Sequence, residues 1–178
     1  MTRSLARLAV ACCCAALAVA GCGSSATDAD QPAAPPATTA TSVGPDGVPS
    51  LTGSPTDLSA PTQAQAGGAQ PPTQLVTRDI VVGTGQAALP TDTVDVRYVG
   101  TLYSDGRLFD SSWARGNDPI SFPLSGVVPG FAQGIEGMQP GGRRVIVIPP
   151  ELAYGPRGQG PIPADSTLVF VVDLVGIS

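Results

Sequence analysis

Strand-like alternation of apolar and polar positions is confined to the C-terminal part of the chain. From Val94 to Leu102 the side chains of Val94, Val96, Tyr98 and Leu102 share one face, which predicts a strand. It runs into Ser104-Asp105-Gly106, a turn of the Asp-Gly kind, and returns through Arg107-Leu108-Phe109. Arg143 to Ile148 is a β-branched run stopped by Pro149-Pro150. Thr167 to Val175 is another, with Leu168, Phe170, Val172 and Leu174 on a common face. Leu75 to Val82 supplies a further strand. Pro129 to Met138 predicts one short helix: Pro129 suits the first turn, Phe131 and Ile135 are four apart on one face, and Gly137 ends it. A mostly antiparallel sheet with a single short helix is an α+β arrangement.

The rest of the chain shows neither period. Residues 1–21 open with Arg3 and Arg7, continue with an uncharged run from Leu8 to Ala20, and close in small residues, the layout of a signal peptide. The apolar run is shorter than the ~18 residues of a membrane span. Its end, Val19-Ala20-Gly21-Cys22, resembles the bacterial lipobox, in which the cysteine becomes the lipid-modified first residue of the mature protein. The plainer alternative is an ordinary secretory signal with a cysteine near the cut. Lipidation at Cys22 would make the protein extracytoplasmic and anchored to the cell membrane. Cys12, Cys13 and Cys14 leave with the signal, so no disulfide is expected within one mature chain.

Residues 22–72 carry nine prolines among Ala, Thr, Ser, Gln and Gly, with no aromatic, no Arg, and only Asp28, Asp30, Asp46 and Asp57 as charges. Such a segment cannot bury enough apolar surface to offset the entropy of ordering. It is expected to be a disordered tether with a reach of about 40 Å. A Pro-rich ligand for an aromatic-lined groove is the alternative.

Composition narrows the chemistry of the remaining domain, residues 73–178. The 178 residues carry a net charge of −5, no His, and nine basic residues that are all Arg. No Ser-His or Cys-His pair, His-bound metal, P-loop lysine or Schiff base can be built from this set, and no cofactor is expected. The acidic balance argues against nucleic acid as a partner. All eight aromatic residues fall in the domain, so the 4% aromatic content of the whole chain understates its core. Gly83-Thr84-Gly85-Gln86-Ala87-Ala88 fits a loose dinucleotide fingerprint, but Leu89-Pro90-Thr91 breaks the chain where that motif requires a helix. It reads as a turn between strands.

The segment Val96 to Leu102, followed by Asp105-Gly106-Arg107-Leu108-Phe109-Asp110-Ser111-Ser112, is similar to the opening half of the FKBP-type peptidyl-prolyl cis-trans isomerases. Further matches are Pro129 to Met138 with Gly141, Ile148 to Gly155, and Ile162-Pro163 with Ser166 to Phe170. Phe-Asp-Ser-Ser, Ala-Tyr-Gly and Thr-Leu-Val-Phe in this order and spacing form a specific combination. The resemblance covers essentially the whole of 73–178 and none of the earlier parts.

What it implies is an antiparallel sheet half-wrapped around one short helix, with an aromatic cavity that accepts a proline ring. By position, Tyr98, Phe109, Phe131, Tyr154, Ile162 and Phe170 would line the cavity, with Val127 and Val128 at its edge and Ile120 on a wall. Asp110 would be the buried polar group and Arg115 its partner. The backbone N–H of Val128 and the hydroxyl of Tyr154 would each hold a substrate carbonyl. The activity implied is isomerisation of X-Pro bonds in extracytoplasmic proteins, by desolvation and hydrogen bonding of the twisted amide. A proline-peptide-binding or chaperone module with weak catalysis is the alternative. Proline-containing polypeptides are the expected partners, with the family's macrolide inhibitors as further ligands, and a monomer is the expected state. Ile120 stands where many members carry an aromatic, Phe131 where many carry Trp, and the loops before Val127 and from Pro156 to Pro161 are shorter.

Overall fold

The computed structural model describes residues 44–178. The expected signal segment, Cys22 and the tether up to residue 43 lie outside the described residues. Among the described residues, eight strands and one α-helix follow in order: β1 (Leu51–Thr52), β2 (Gln63–Ala64), β3 (Val76–Val81), β4 (Thr93–Leu102), β5 (Leu108–Ser111), β6 (Ile120–Pro123), α1 (Pro129–Ile135), β7 (Gly142–Ile148) and β8 (Leu168–Ile177). The main sheet is antiparallel with the order β3-β7-β8-β4-β5, and β6 continues the β5 edge by pairing with the first half of β4. This is the antiparallel α+β arrangement with one short helix that the alternation predicts and the resemblance implies. β6 was not anticipated, α1 ends earlier than Met138, and 83–88 form a helix-free turn as expected.

One face of the sheet packs on α1. Val94, Val96, Tyr98 and Leu102 of β4, Ile146 and Ile148 of β7, and Leu168, Phe170, Val172 and Leu174 of β8 meet Phe131 and Ile135 of the helix, all buried. The helix can lie this close because Gly134 faces the sheet: a Cβ there would collide with the Ile146 side chain.

The opposite face corrects the tether reading for residues 44–72. Val48 and Ala64 are fully buried against Val145, Val147, Val169, Val171 and Tyr103, with Leu51 packed alongside. The segment forms a strap, closed by the β1–β2 hairpin, that crosses the sheet. Its loop caps an ion pair between neighbouring strands. Arg143 of β7 and Asp173 of β8 are paired across the sheet at 2.5 and 2.7 Å, with side chains only 1% and 5% exposed. The remaining guanidinium donors go to the strap: to Thr62 Oγ1 (2.7 Å) and to the carbonyls of Ala60 (3.0 Å) and Pro55 (3.1 Å). A buried ion pair is tolerated only when its other donors are satisfied, and here the strap satisfies them. The segment lacks a core of its own, but it adds a few apolar side chains and several carbonyls to a face that already exists. The entropy argument, applied to the segment in isolation, left that face out.

Candidate functional site

On the helix side, five aromatic rings converge. Phe170 lies 5.0 Å from Phe131, 5.5 Å from Phe109 and 6.0 Å from Tyr98, centroid to centroid, and Phe122 stands 6.0 Å from Tyr98 and 6.3 Å from Phe131. Most of these contacts are edge-to-face or tilted, the arrangement favoured by ring quadrupoles. Gly100 makes room for them, since a Cβ there would lie 2.7 Å from the tip of Phe109. The rings leave a cavity of about 430 Å³, rimmed by Val127, Val128 and Gly126 from the turn before α1 and by Tyr154 from the loop after β7.

Of the residues expected from sequence, Tyr98, Phe109, Asp110, Val127, Val128, Phe131, Tyr154 and Phe170 line this cavity together. Ile162 and Ile120 do not. Ile162 is buried in the core, and Ile120 packs against that core from β6. The wall assigned to Ile120 belongs to Phe122, two residues further along β6. The pair Ile120 and Phe122 alternates on one strand face, and that alternation was the available signal for Phe122.

The polar edge of the cavity is one connected group. Arg115 donates from Nη1 to Asp110 Oδ1 (2.5 Å) and from Nη2 to the Tyr98 hydroxyl (2.7 Å), and that hydroxyl donates to Asp110 Oδ2 (2.5 Å). The Ser111 N–H donates to Oδ1 as well (2.8 Å). Asp110 was expected to be enclosed, yet its side chain is 39% exposed, because the partner Arg115 sits on a surface turn (Trp113–Arg115) rather than in the core. Partial burial works to raise the Asp110 carboxyl. The hydrogen bonds from Arg115 and Tyr98, the Arg115 charge and the Ser111 N–H outweigh it, so the group lies below its usual range. Burial, reinforced by the hydrogen bond to Asp110 and by its negative charge, pushes the Tyr98 phenol up to about 12. The hydrogen bond to Asp110 raises the Arg115 guanidinium further. At neutral pH the site therefore presents a carboxylate, a neutral phenol and a cation around an apolar hollow.

Comparison with known proteins points the same way. A family model described as FKBP-type peptidyl-prolyl cis-trans isomerase matches residues 85–175. The chain is 50% identical over 104 residues to a probable FK506-binding protein of Corynebacterium glutamicum, covering 58% of this chain and 87% of that one. It is 49% identical over 105 residues to the FKBP-type peptidyl-prolyl cis-trans isomerase FkpA of Escherichia coli K12, 59% of this chain but 38% of the relative. Among solved structures it is similar to FkpA from Escherichia coli (TM-score 0.56, 48% identity, 60% of this chain and 49% of that one). It is also similar to AtFKBP13 (TM-score 0.55, 39% identity, 60% and 95%).

Proposed function

The chain belongs to the FKBP-type peptidyl-prolyl cis-trans isomerases, and on that premise we propose that the aromatic cavity is where it turns X-Pro bonds. The observation that carries this is the cavity itself: apolar rings on the walls and floor, with an ionised but fully partnered carboxylate at one edge. Rotation about an X-Pro bond meets a barrier of ~18–20 kcal/mol set by amide resonance, whereas cis and trans differ by only ~0.5–1 kcal/mol. The planar amide is the more dipolar state and the better solvated one. A hollow walled by Tyr98, Phe122, Phe131 and Phe170 strips that solvation and so favours the twisted amide.

The Val128 N–H, just ahead of α1, and the Tyr154 hydroxyl hold carbonyls of the bound chain on either side of the proline. Asp110 acts through orientation and field, because Arg115 and Tyr98 already occupy its oxygens. No proton changes hands. A macrolide of the kind named for the relatives would occupy the same hollow and compete with peptide.

The enzyme works outside the cytoplasm, tethered by a lipid on Cys22. The charged start, the short apolar run and the small-small-Cys end support that reading. The site is tested with a protease-coupled proline-peptide assay on wild type, Asp110→Ala and Tyr154→Phe. Each substitution is expected to lower kcat/KM roughly ten-fold, about 1.4 kcal/mol, with unchanged circular dichroism. Unchanged rates in both would mean that the cavity is not the site.

A further inference from the structure

The family model begins at residue 85, after the strap, and the strap lies on the sheet face opposite the aromatic cavity. The two are nevertheless joined through one turn. Gln63 of β2 donates from Nε2 to the carbonyl of Gly106 (3.0 Å), in the turn between β4 and β5. Gly106 has φ of 70°, and a Cβ on it would lie 2.7 Å from the backbone nitrogen of Ala66, so the strap backbone is seated directly on the turn. The turn is a closed unit, since the Gly106 N–H returns to the Leu102 carbonyl (2.9 Å) and the Leu102 N–H to the Arg107 carbonyl (2.9 Å).

Two arms leave this turn toward the cavity. Forward along the chain, β5 begins at Leu108 and places Phe109 and Asp110 in the cavity wall. Sideways, Arg107 Nη2 donates to the carbonyl of Pro161 (3.2 Å). Pro161 lies in the loop that starts at Tyr154 and is closed on itself by reciprocal Gln159–Ile162 bonds, each 2.9 Å. The turn therefore sets one wall and one rim of the cavity at once.

We propose that Gln63 and Arg107 are positioning residues of the isomerase: the strap holds the β4–β5 turn through Gln63, and the turn holds the Tyr154 loop through Arg107. The spacing between the Phe109–Asp110 wall and the Tyr154 rim follows from both bonds. Neither side chain lines the cavity. Their contribution is to the fit of the proline segment, in ground state and transition state alike, so it shows in KM rather than in kcat. The proposal rests on the isomerase reading of the cavity and extends it to Gln63, a strap residue outside the family match.

The test uses the full-length chain and a proline tetrapeptide, with Gln63→Met and Arg107→Met as variants that keep bulk but lose the donor. Each is expected to raise KM about three-fold with kcat unchanged. Because the two bonds act in series, the double variant should be no worse than the poorer single one, whereas independent effects would multiply. Arg107→Lys, which keeps a donor, should restore most of the loss. Unchanged KM in both single variants overturns the proposal, and so does a multiplicative double variant or a loss that merely follows a lowered Tm. A wild-type chain without catalysis, seen in the same assay before any variant, would instead overturn the isomerase reading.

Discussion

Asp110 keeps its charge in a half-buried position because three donors converge on it, and this decides how the site responds to pH. Its folded pKa is lowered, so the stability contributed by its ionised form is present above the unfolded value of 3.8 and is lost as pH falls through the lower folded value. Tyr98 shifts the other way, from 10.0 to about 12, so its contribution is complete below 10 and is lost as pH rises through about 12. Neither group changes charge between about pH 5 and about pH 9. The kcat/KM profile for a proline peptide is accordingly expected to be flat over that window, and a sigmoid centred within it would contradict the assignment. Tyr98→Phe removes the hydroxyl that links Asp110 to Arg115, and the Asp110 carboxyl should move upward, readable by carboxyl NMR titration. An unchanged titration would show that the hydroxyl carries little of the effect.

At the scale of elements, the strap over β7 and β8 is the least expected part. Arg143→Met leaves Asp173 buried without its partner, a situation that costs about 3–5 kcal/mol, and should lower Tm by about 10 °C or more. Arg143→Met with Asp173→Leu should recover only part of this, because the carbonyls of Pro55 and Ala60 would still lack their donor. Full recovery would mean that the strap carbonyls gain nothing from Arg143. The longer strands and the helix were legible in the sequence because each is local: alternation marks β4, and Pro129 and Gly137 bracket α1. Most of the cavity was legible through the family resemblance, whose motifs Phe109-Asp110 and Ala153-Tyr154-Gly155 are contiguous. Phe122 was missed because β6 is four residues long and owes its place to pairing with β4. The strap was missed for a similar reason, since Val48 and Ala64 have meaning only against the face they cover. One signal did exist. Val145 to Ile148 and Leu168 to Val172 are apolar at every position, and a strand apolar on both sides is a strand covered on both sides.

For the whole molecule, the strap shortens whatever links the domain to its proposed anchor. Between Cys22 and the first described residue, Gly44, the chain spans at most about 75 Å when fully extended, well under what a tether running to residue 72 would allow. Cys22→Ser is expected to move the protein from the membrane to the soluble fraction with its isomerase activity unchanged, and a variant that stays with the membrane would contradict lipidation. The absence of His and Lys, which excludes most catalytic machinery, is compatible with an enzyme that works by desolvation and fixed hydrogen bonds. That mechanism is tested most directly by the rate of proline-peptide isomerisation measured in parallel in H2O and D2O on the full-length chain. The result expected is clear acceleration over the uncatalysed reaction with a solvent isotope effect near unity. No acceleration, or one that slows substantially in D2O, would contradict catalysis by an apolar hollow without proton transfer.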